Sequence, residues 1–266
     1  ATYFFGTATL SDSSGTIQPE VTTSFIEGIW QGTVTITKTG TTSIKANYLD
    51  KLGTSNPFPV SGAPLARFEI ATITTQTAGI EFNLTIRAKD QFGNTADGFT
   101  GTATLTDITN TLILHPSSFI PFTNGLWQGT VTITKSGTTA ITATYQDRAG
   151  TSNQFYVSPA QLDYFKFASI TTQIVAKPFQ ITITAYDGYG NVADYTGSAQ
   201  LSSPQGIYPQ TTTPFLDGIW QGTVTIGNVG TTTITANAGT KTGTSNAFAV
   251  IPSELANIVI IPSMAT

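Results

Sequence analysis

Cysteine is absent from the 266-residue chain. That removes disulfides as a source of stability and excludes thiol chemistry and Cys-based metal sites. Histidine occurs once, at His115, with no Ser–His–Asp set and no metal-ligand spacing around it. Charge is scarce: Asp, Glu, Lys and Arg make up only 10% of the chain, against about 25% in an ordinary soluble domain. The net charge is −4, and the few Lys and Arg are scattered, so there is no basic stripe for a nucleic acid. No apolar run approaches the ~18–20 residues of a membrane span, and no stretch carries the period of an amphipathic helix. Gly/Thr strings such as GTATL open no helix, as a phosphate-binding loop must. With no catalytic constellation in view, the chain reads as a non-enzyme, and no cofactor is expected. Thr, Ser and Gly fill the space that charge leaves. A surface of hydroxyls is only weakly repelled from copies of itself and suits a protein that packs against its own kind.

What is present is repetition. GIWQGTVTIT at 28–37 returns as GLWQGTVTIT at 125–134 and as GIWQGTVTIG at 218–227. Trp30, Trp127 and Trp220 stand 97 and 93 residues apart, a domain-sized period well beyond the ~20–50 residues of a solenoid unit. Within each copy, side chains alternate. Trp30, Val34 and Ile36 share one parity, and Gln31, Thr33, Thr35 and Thr37 the other, the pattern of a half-buried strand with a Thr-rich wet face. A Gly-containing turn comes next, then Ile44, Ala46 and Tyr48 alternate in their turn, so the two segments are expected to pair as a hairpin. Each copy closes on TSNPFPV, TSNQFYV or TSNAFAV. Upstream, LARFEIATI (65–73) matches LDYFKFASI (162–170), and IEFNLTIRAKDQFGN (80–94) matches KPFQITITAYDGYGN (177–191). Seven or so short alternating strands in about 95 residues predict tandem immunoglobulin-like β-sandwiches, an all-β fold.

The ends of the chain fall out of phase with the repeat. FFGTATLSD at 4–12 aligns with FTGTATLTD at 99–107, and LANIVIIPS at 255–263 aligns with LARFEIATI. The expected organisation is an incomplete domain over 1–62 that lacks its first strands, whole domains over 63–158 and 159–251, and a donor-strand tail over 252–266. The chain opens on Ala rather than Met; removal of a leader and excision from a longer protein both fit. A sandwich short of strands exposes an apolar groove and unpaired backbone. The tail carries the pattern to fill it, with Leu255, Ile258, Val259, Ile260 and Ile261 as the assembly residues. Its insertion into the next subunit would make a heterologous, head-to-tail contact. Burying four such side chains contributes a gross of about 6–12 kcal/mol. The tail brings one strand where two are missing, and a piece of a longer array is the alternative.

Other candidates have a structural and a chemical reading each. The recurrent Trp residues are read as core rather than as sugar-stacking platforms. Gln31, Gln128 and Gln221 suit a bond to a loop more than an ester crosslink with Thr. Lys166, whose matched positions are Glu69 and Val259, carries no repeated isopeptide pattern. Asp90, Asn94 and Asp97, with their counterparts Asp187, Asn191 and Asp194, gather oxygen atoms around one turn and are weak calcium candidates; turn formation explains them equally well. Asn83 heads the one N-glycosylation sequon, NLT, so glycans are possible partners.

The stretches RFEIATITTQTAGIEFNLTIRAKDQFGN, GFTGTATL, NGLWQGTVTITKSGTTAITA and GTSNQFYV stand in that order in the second repeat. Together they resemble bacterial Ig-like repeats of the invasin/intimin type, found in prokaryotic surface proteins, S-layer proteins and extracellular filament subunits. The pattern covers nearly the whole chain, twice in full and once in part. The resemblance implies an extracellular spacer, adhesive or assembly module with no catalytic residues. The expected role is a filament or surface-layer subunit that polymerises with itself, with an adhesin stalk as the other reading. Neither a nucleic acid nor a membrane span enters it.

Overall fold

The computed structural model describes residues 4–115 and 121–254. Among them there is no α-helix, and so none long and apolar enough to cross a membrane. The first repeat holds β1 (Thr9–Asp12), β2 (Gly40–Thr42), β3 (Ile44–Tyr48), β4 (Lys51–Thr54) and β5 (Phe58–Val60). The second holds β6 (Arg67–Ile70), β7 (Gln76–Thr77), β8 (Phe82–Lys89), β9 (Thr104–Asp107), β10 (Leu112–His115), β11 (Leu126–Ile133), β12 (Gly137–Thr139), β13 (Ile141–Tyr145), β14 (Arg148–Thr151) and β15 (Phe155–Ser158). The third holds β16 (Tyr164–Phe167), β17 (Gln173–Ile174), β18 (Phe179–Tyr186), β19 (Gln200–Ser202), β20 (Ile207–Tyr208), β21 (Ile219–Ile226), β22 (Gly230–Thr232), β23 (Thr235–Ala238), β24 (Lys241–Thr244) and β25 (Phe248–Ile251).

The chain forms two compact units. One comprises Ala1–Thr74, Glu81–Thr132 and Thr138–Phe155; the other Thr75–Ile80, Ile133–Gly137 and Tyr156–Thr266. In the first unit, β6, β8, β11 and β10 make one sheet in the order β10-β11-β8-β6, and β9, β13 and β14 make another in the order β14-β13-β9. In the second unit β16 joins the corresponding strands into one curled sheet, β19-β23-β24-β16-β18-β21-β20, facing β17-β25-β22. The central pairs share a register: Trp127 lies opposite Ile86 and Trp220 opposite Ile183.

The alternation seen in the sequence sets the core. Leu84, Ile86 and Ala88 on β8 point inward, and so do Ile181, Ile183 and Ala185 on β18. Full burial of each larger side chain stabilises by roughly 1.5–3 kcal/mol. The Trp-x-Gly pattern also has a cause. A Cβ on Gly129 or Gly222 would lie 2.5 or 2.1 Å from the ring of Trp127 or Trp220; the indole folds over the glycine two residues on.

Two expectations change. WQGTVTIT and the segment after its turn do not pair as a hairpin: β11 pairs with β8, whereas β13 pairs with β14 and β9. Alternation tells which side chains face inward but not which strand is the neighbour. The true hairpin is β13–β14, turning at Gln146 with φ of 52°. In the first repeat, residues 30–37 form no strand beyond the single bridge of Thr35 to Gln18. In the whole repeats, β8 and β18 supply the ladder for this segment.

Candidate assembly site

The turn after β8 and the turn after β18 are built alike around an aspartate. Asp90 Oδ1 accepts from the backbone N–H groups of Phe92 (2.9 Å) and Asn94 (2.8 Å). Its Oδ2 accepts from the Ala63 N–H (3.1 Å) and Asn94 Nδ2 (2.9 Å). Asp187 repeats the set with Tyr189 (2.9 Å), Asn191 (2.8 Å), Ala160 (2.9 Å) and Asn191 Nδ2 (2.8 Å). Burial alone would raise both carboxyl groups. The Asn94 and Asn191 side chains and the converging backbone N–H groups outweigh it and hold each pKa below the ordinary 3.8.

The asparagines also reach beyond their own turns. Asn94 Nδ2 donates to the Thr37 carbonyl at 2.7 Å, and its Oδ1 faces the Thr39 N–H at 3.4 Å. Asn191 Nδ2 donates to the Thr134 carbonyl at 2.8 Å, and its Oδ1 accepts from the Ser136 N–H at 2.9 Å. Thr37 and Thr134 open the turn that comes after each WQGTVTI segment. Each asparagine therefore clasps the backbone of the repeat before its own. Asp97 accepts from the Gly62 N–H at 3.1 Å. Its counterpart Asp194 is exposed, and the matching donor position is Pro159, which has no N–H to give.

These are the six residues read as weak calcium candidates. The buried carboxylates of Asp90 and Asp187 meet N–H donors on both oxygens, a dipole environment that already complements their charge. Among the described residues no three His, Cys, Asp or Glu side chains converge. The recurrence of Asn at one place in two repeats was the signal for the clasp, but its partner lies 57 residues away in sequence and periodicity does not reveal it.

Other candidates stay apart. His115 hydrogen-bonds Thr132 at 2.8 Å and lies 3.7 Å from Glu81. Lys166 stands opposite Thr184 on an exposed face. Gln128 faces Thr85 at 3.4 Å, and Gln31 and Gln221 are exposed. Asn83 is exposed on β8.

The first repeat differs from the other two at its core positions. Trp127 and Trp220 are both 5% exposed, and Val131, Ile133, Val224 and Ile226 are buried. Their matches Trp30, Val34 and Ile36 are only half-buried. The same holds for Ile44, Phe58 and Val60, against buried Ile141, Phe155, Val157, Ile234, Phe248 and Val250. These positions line the space that β6 and β8, or β16 and β18, fill in the whole repeats. The expected assembly residues Leu255, Ile258, Val259, Ile260 and Ile261 lie outside the described residues.

Among the described residues the chain is a set of tandem all-β sandwich repeats with clasped turns, and the first repeat's counterparts of core positions are only half-buried. No family model matches the chain, and no curated protein sequence matches it. Among solved structures it is similar to FdeC, a broadly conserved Escherichia coli adhesin, at 17% identity and a TM-score of 0.42, over 95% of this chain and 87% of that one. It is similar to invasin, a bacterial integrin-binding protein, at 16% identity and a TM-score of 0.41, over 94% of this chain and 54% of that one. The S-layer protein rSbsC matches at 18% identity and a TM-score of 0.31, over 92% of this chain and 35% of that one. These are the kinds of protein the sequence resembles. At such scores the fold rests on the strand ladders themselves.

Proposed function

We infer that the chain is a structural subunit of an extracellular filament or surface layer, assembling head to tail by insertion of its C-terminal strand into the incomplete first repeat of the next subunit. The single observation that carries this reading is the half-burial of Trp30, Val34, Ile36, Ile44, Phe58 and Val60 at positions whose counterparts are buried twice over in the same chain. A lined apolar groove with unpaired edges binds a strand through backbone bonds and side-chain pockets together. The extracellular placement is supported by the sequence resemblance, and the structural role by the clasped turns. Electron microscopy of the purified chain tests it. Uniform filaments that disappear on deletion of residues 252–266 are expected; isolated particles at all concentrations contradict it.

A second reading is favoured by a different observation. In both whole repeats the filling strands come from the stretch of chain just ahead of the groove, β6 and β8 or β16 and β18. On that pattern the chain is a stalk or spacer within a longer Ig-like array, whose ligand, a cell-surface protein or carbohydrate, is bound elsewhere.

A further inference from the structure

A mid-strand glycine with no turn to make marks a place where another backbone comes close. Gly150 on β14 and Gly243 on β24 are such residues. A Cβ on Gly150 would lie 2.0 Å from the carbonyl oxygen of Phe68, and one on Gly243 would lie 2.0 Å from that of Phe165. The side chains of the same two phenylalanines complete an aromatic cluster. The ring of Phe68 packs 5.7 Å from Phe99 and 5.4 Å from Phe122; that of Phe165 packs 5.7 Å from Tyr195 and 5.4 Å from Phe215. Where β16 meets β24 the strands run parallel, Tyr164 opposite Thr242. One incoming residue thus does two things: its carbonyl crosses the glycine and its ring caps the aromatic pair.

The first repeat keeps every receiving part. Gly53 lies opposite Ala46, as Gly150 lies opposite Ala143 and Gly243 opposite Ala236. Phe4 and Phe25 form an edge-on pair at 5.1 Å, as Phe99 and Phe122 do at 5.2 Å and Tyr195 and Phe215 at 5.2 Å. Yet nothing lies within 4 Å of a Cβ on Gly53, and Leu52 beside it is 64% exposed. The φ of Gly53 is not in the left-handed region, so local geometry does not call for glycine there.

Resting on the assembly reading above, we propose that the free edge of β4 is a strand-addition site for residues 255–260 of a second copy. The added strand runs parallel to β4, with Ile258 in the place of Phe68 and Phe165: its carbonyl over Gly53, its side chain on Phe4 and Phe25. The occupant is set by sequence, since Leu255, Ile258 and Ile260 match Leu65, Phe68 and Ile70, and again Leu162, Phe165 and Phe167. The one strand that the tail offers fills one of the two missing places. The β4 edge needs a single strand, and the place that β8 takes beside β11 is a separate seat.

The test is Gly53→Val in the full chain. A side chain there meets nothing in the unfilled repeat, but it occupies the path of the donor carbonyl, so folding and binding separate. Circular dichroism should match the wild type, and so should thermal unfolding at concentrations where the wild type is monomeric. Sedimentation velocity across a concentration series should show head-to-tail oligomers for the wild type and none for Gly53→Val. A labelled peptide of residues 64–73, PLARFEIATI, should bind the wild type and lose at least tenfold in affinity for the variant. Oligomers of Gly53→Val at wild-type concentrations, or a peptide that binds both chains alike or neither, overturn the site. If the peptide binds the wild type only but the chain stays monomeric, the second copy is the wrong occupant and the assembly reading fails with it. If oligomers require residues 252–266 yet ignore Gly53→Val, assembly stands and this seat does not.

Discussion

Asn191 Nδ2 donates to the carbonyl of Thr134 at 2.8 Å while the same side chain accepts from the Ser136 N–H at 2.9 Å. One amide thereby satisfies a donor and an acceptor of a turn that belongs, by sequence, to the preceding repeat. Asn191 is 1% exposed, so its loss leaves polar backbone without water to replace it. Asn191→Ala is expected to destabilise by about 1–3 kcal/mol, read by chemical denaturation, with faster amide exchange at Ser136. Asn94→Ala should cost less, because Asn94 is more exposed and its contact with the Thr39 N–H is 3.4 Å.

Four aspartates set the acid limit of the fold. Asp12 accepts from the Ser14 hydroxyl and from the N–H groups of Ser14, Thr16 and Ile17. Asp107 accepts from the Thr109 hydroxyl and from the N–H groups of Thr109, Thr111 and Leu112. For these, as for Asp90 and Asp187, burial works upward, and the hydrogen bonds prevail and lower the pKa below 3.8. A folded pKa below the unfolded value of about 3.9 contributes stability that is fully present above that value and is lost as pH falls through the folded one. Denaturation midpoints should therefore be flat near neutrality and fall below about pH 4. Asp107→Asn should flatten that fall while lowering stability at pH 7. A midpoint unchanged down to pH 2 contradicts the account.

Metal should make no difference to stability. A cation at Asp90 or Asp187 has to displace four N–H donors from each carboxylate. Melting temperature is expected to be the same in calcium and in chelator; a rise of several degrees with calcium returns these turns to the metal-site reading.

The β13–β14 turn carries avoidable strain. Gln146 sits at φ of 52°, where the third repeat has Gly239 at 61°. A residue with a Cβ costs roughly 1–2 kcal/mol in that region, offset in part by the entropy that glycine adds to the unfolded chain. Gln146→Gly should stabilise by up to about 1 kcal/mol in equilibrium unfolding.

Gly243 tolerates no side chain in a filled repeat. Its Cβ would fall 2.0 Å from the Phe165 carbonyl oxygen, a backbone atom that has no rotamer to escape into. Gly243→Ala should destabilise by about 1–3 kcal/mol, seen as a lower midpoint for the third repeat.

Much of this was legible from residues alone. Trp spacing gave the period, and alternation on β8 and β18 pointed to Leu84, Ile86, Ala88, Ile181, Ile183 and Ala185, which are buried, whereas Phe82 and Phe179 of the same sets are half-buried. Pairing was less legible. Ile141 and Ala143 alternate in the same way whether their neighbour is β11 or β14, and long-range pairing leaves no mark on a strand's own pattern. The turn around Asp90 reads in sequence both as a backbone cap and as a weak cation site, because carboxylates that cap backbone N–H groups and carboxylates that hold cations use the same residues. Gly53 carries no distinguishing mark in the sequence; only its twins Gly150 and Gly243 reveal a backbone crossing.

The parallel pairing of β17 with β25, Gln173 opposite Val250 and Ile174 opposite Ile251, bears on how a repeat answers tension. β17 lies near the start of its repeat and β25 ends it, so a pull on the two ends slides one strand along the other. Their bonds are then loaded together in shear instead of being unzipped in succession, and β7 with β15 shares the geometry. Rupture under such a pull is governed by the unfolding barrier rather than by equilibrium stability. A modestly stable repeat of this kind can therefore hold a sustained mechanical load.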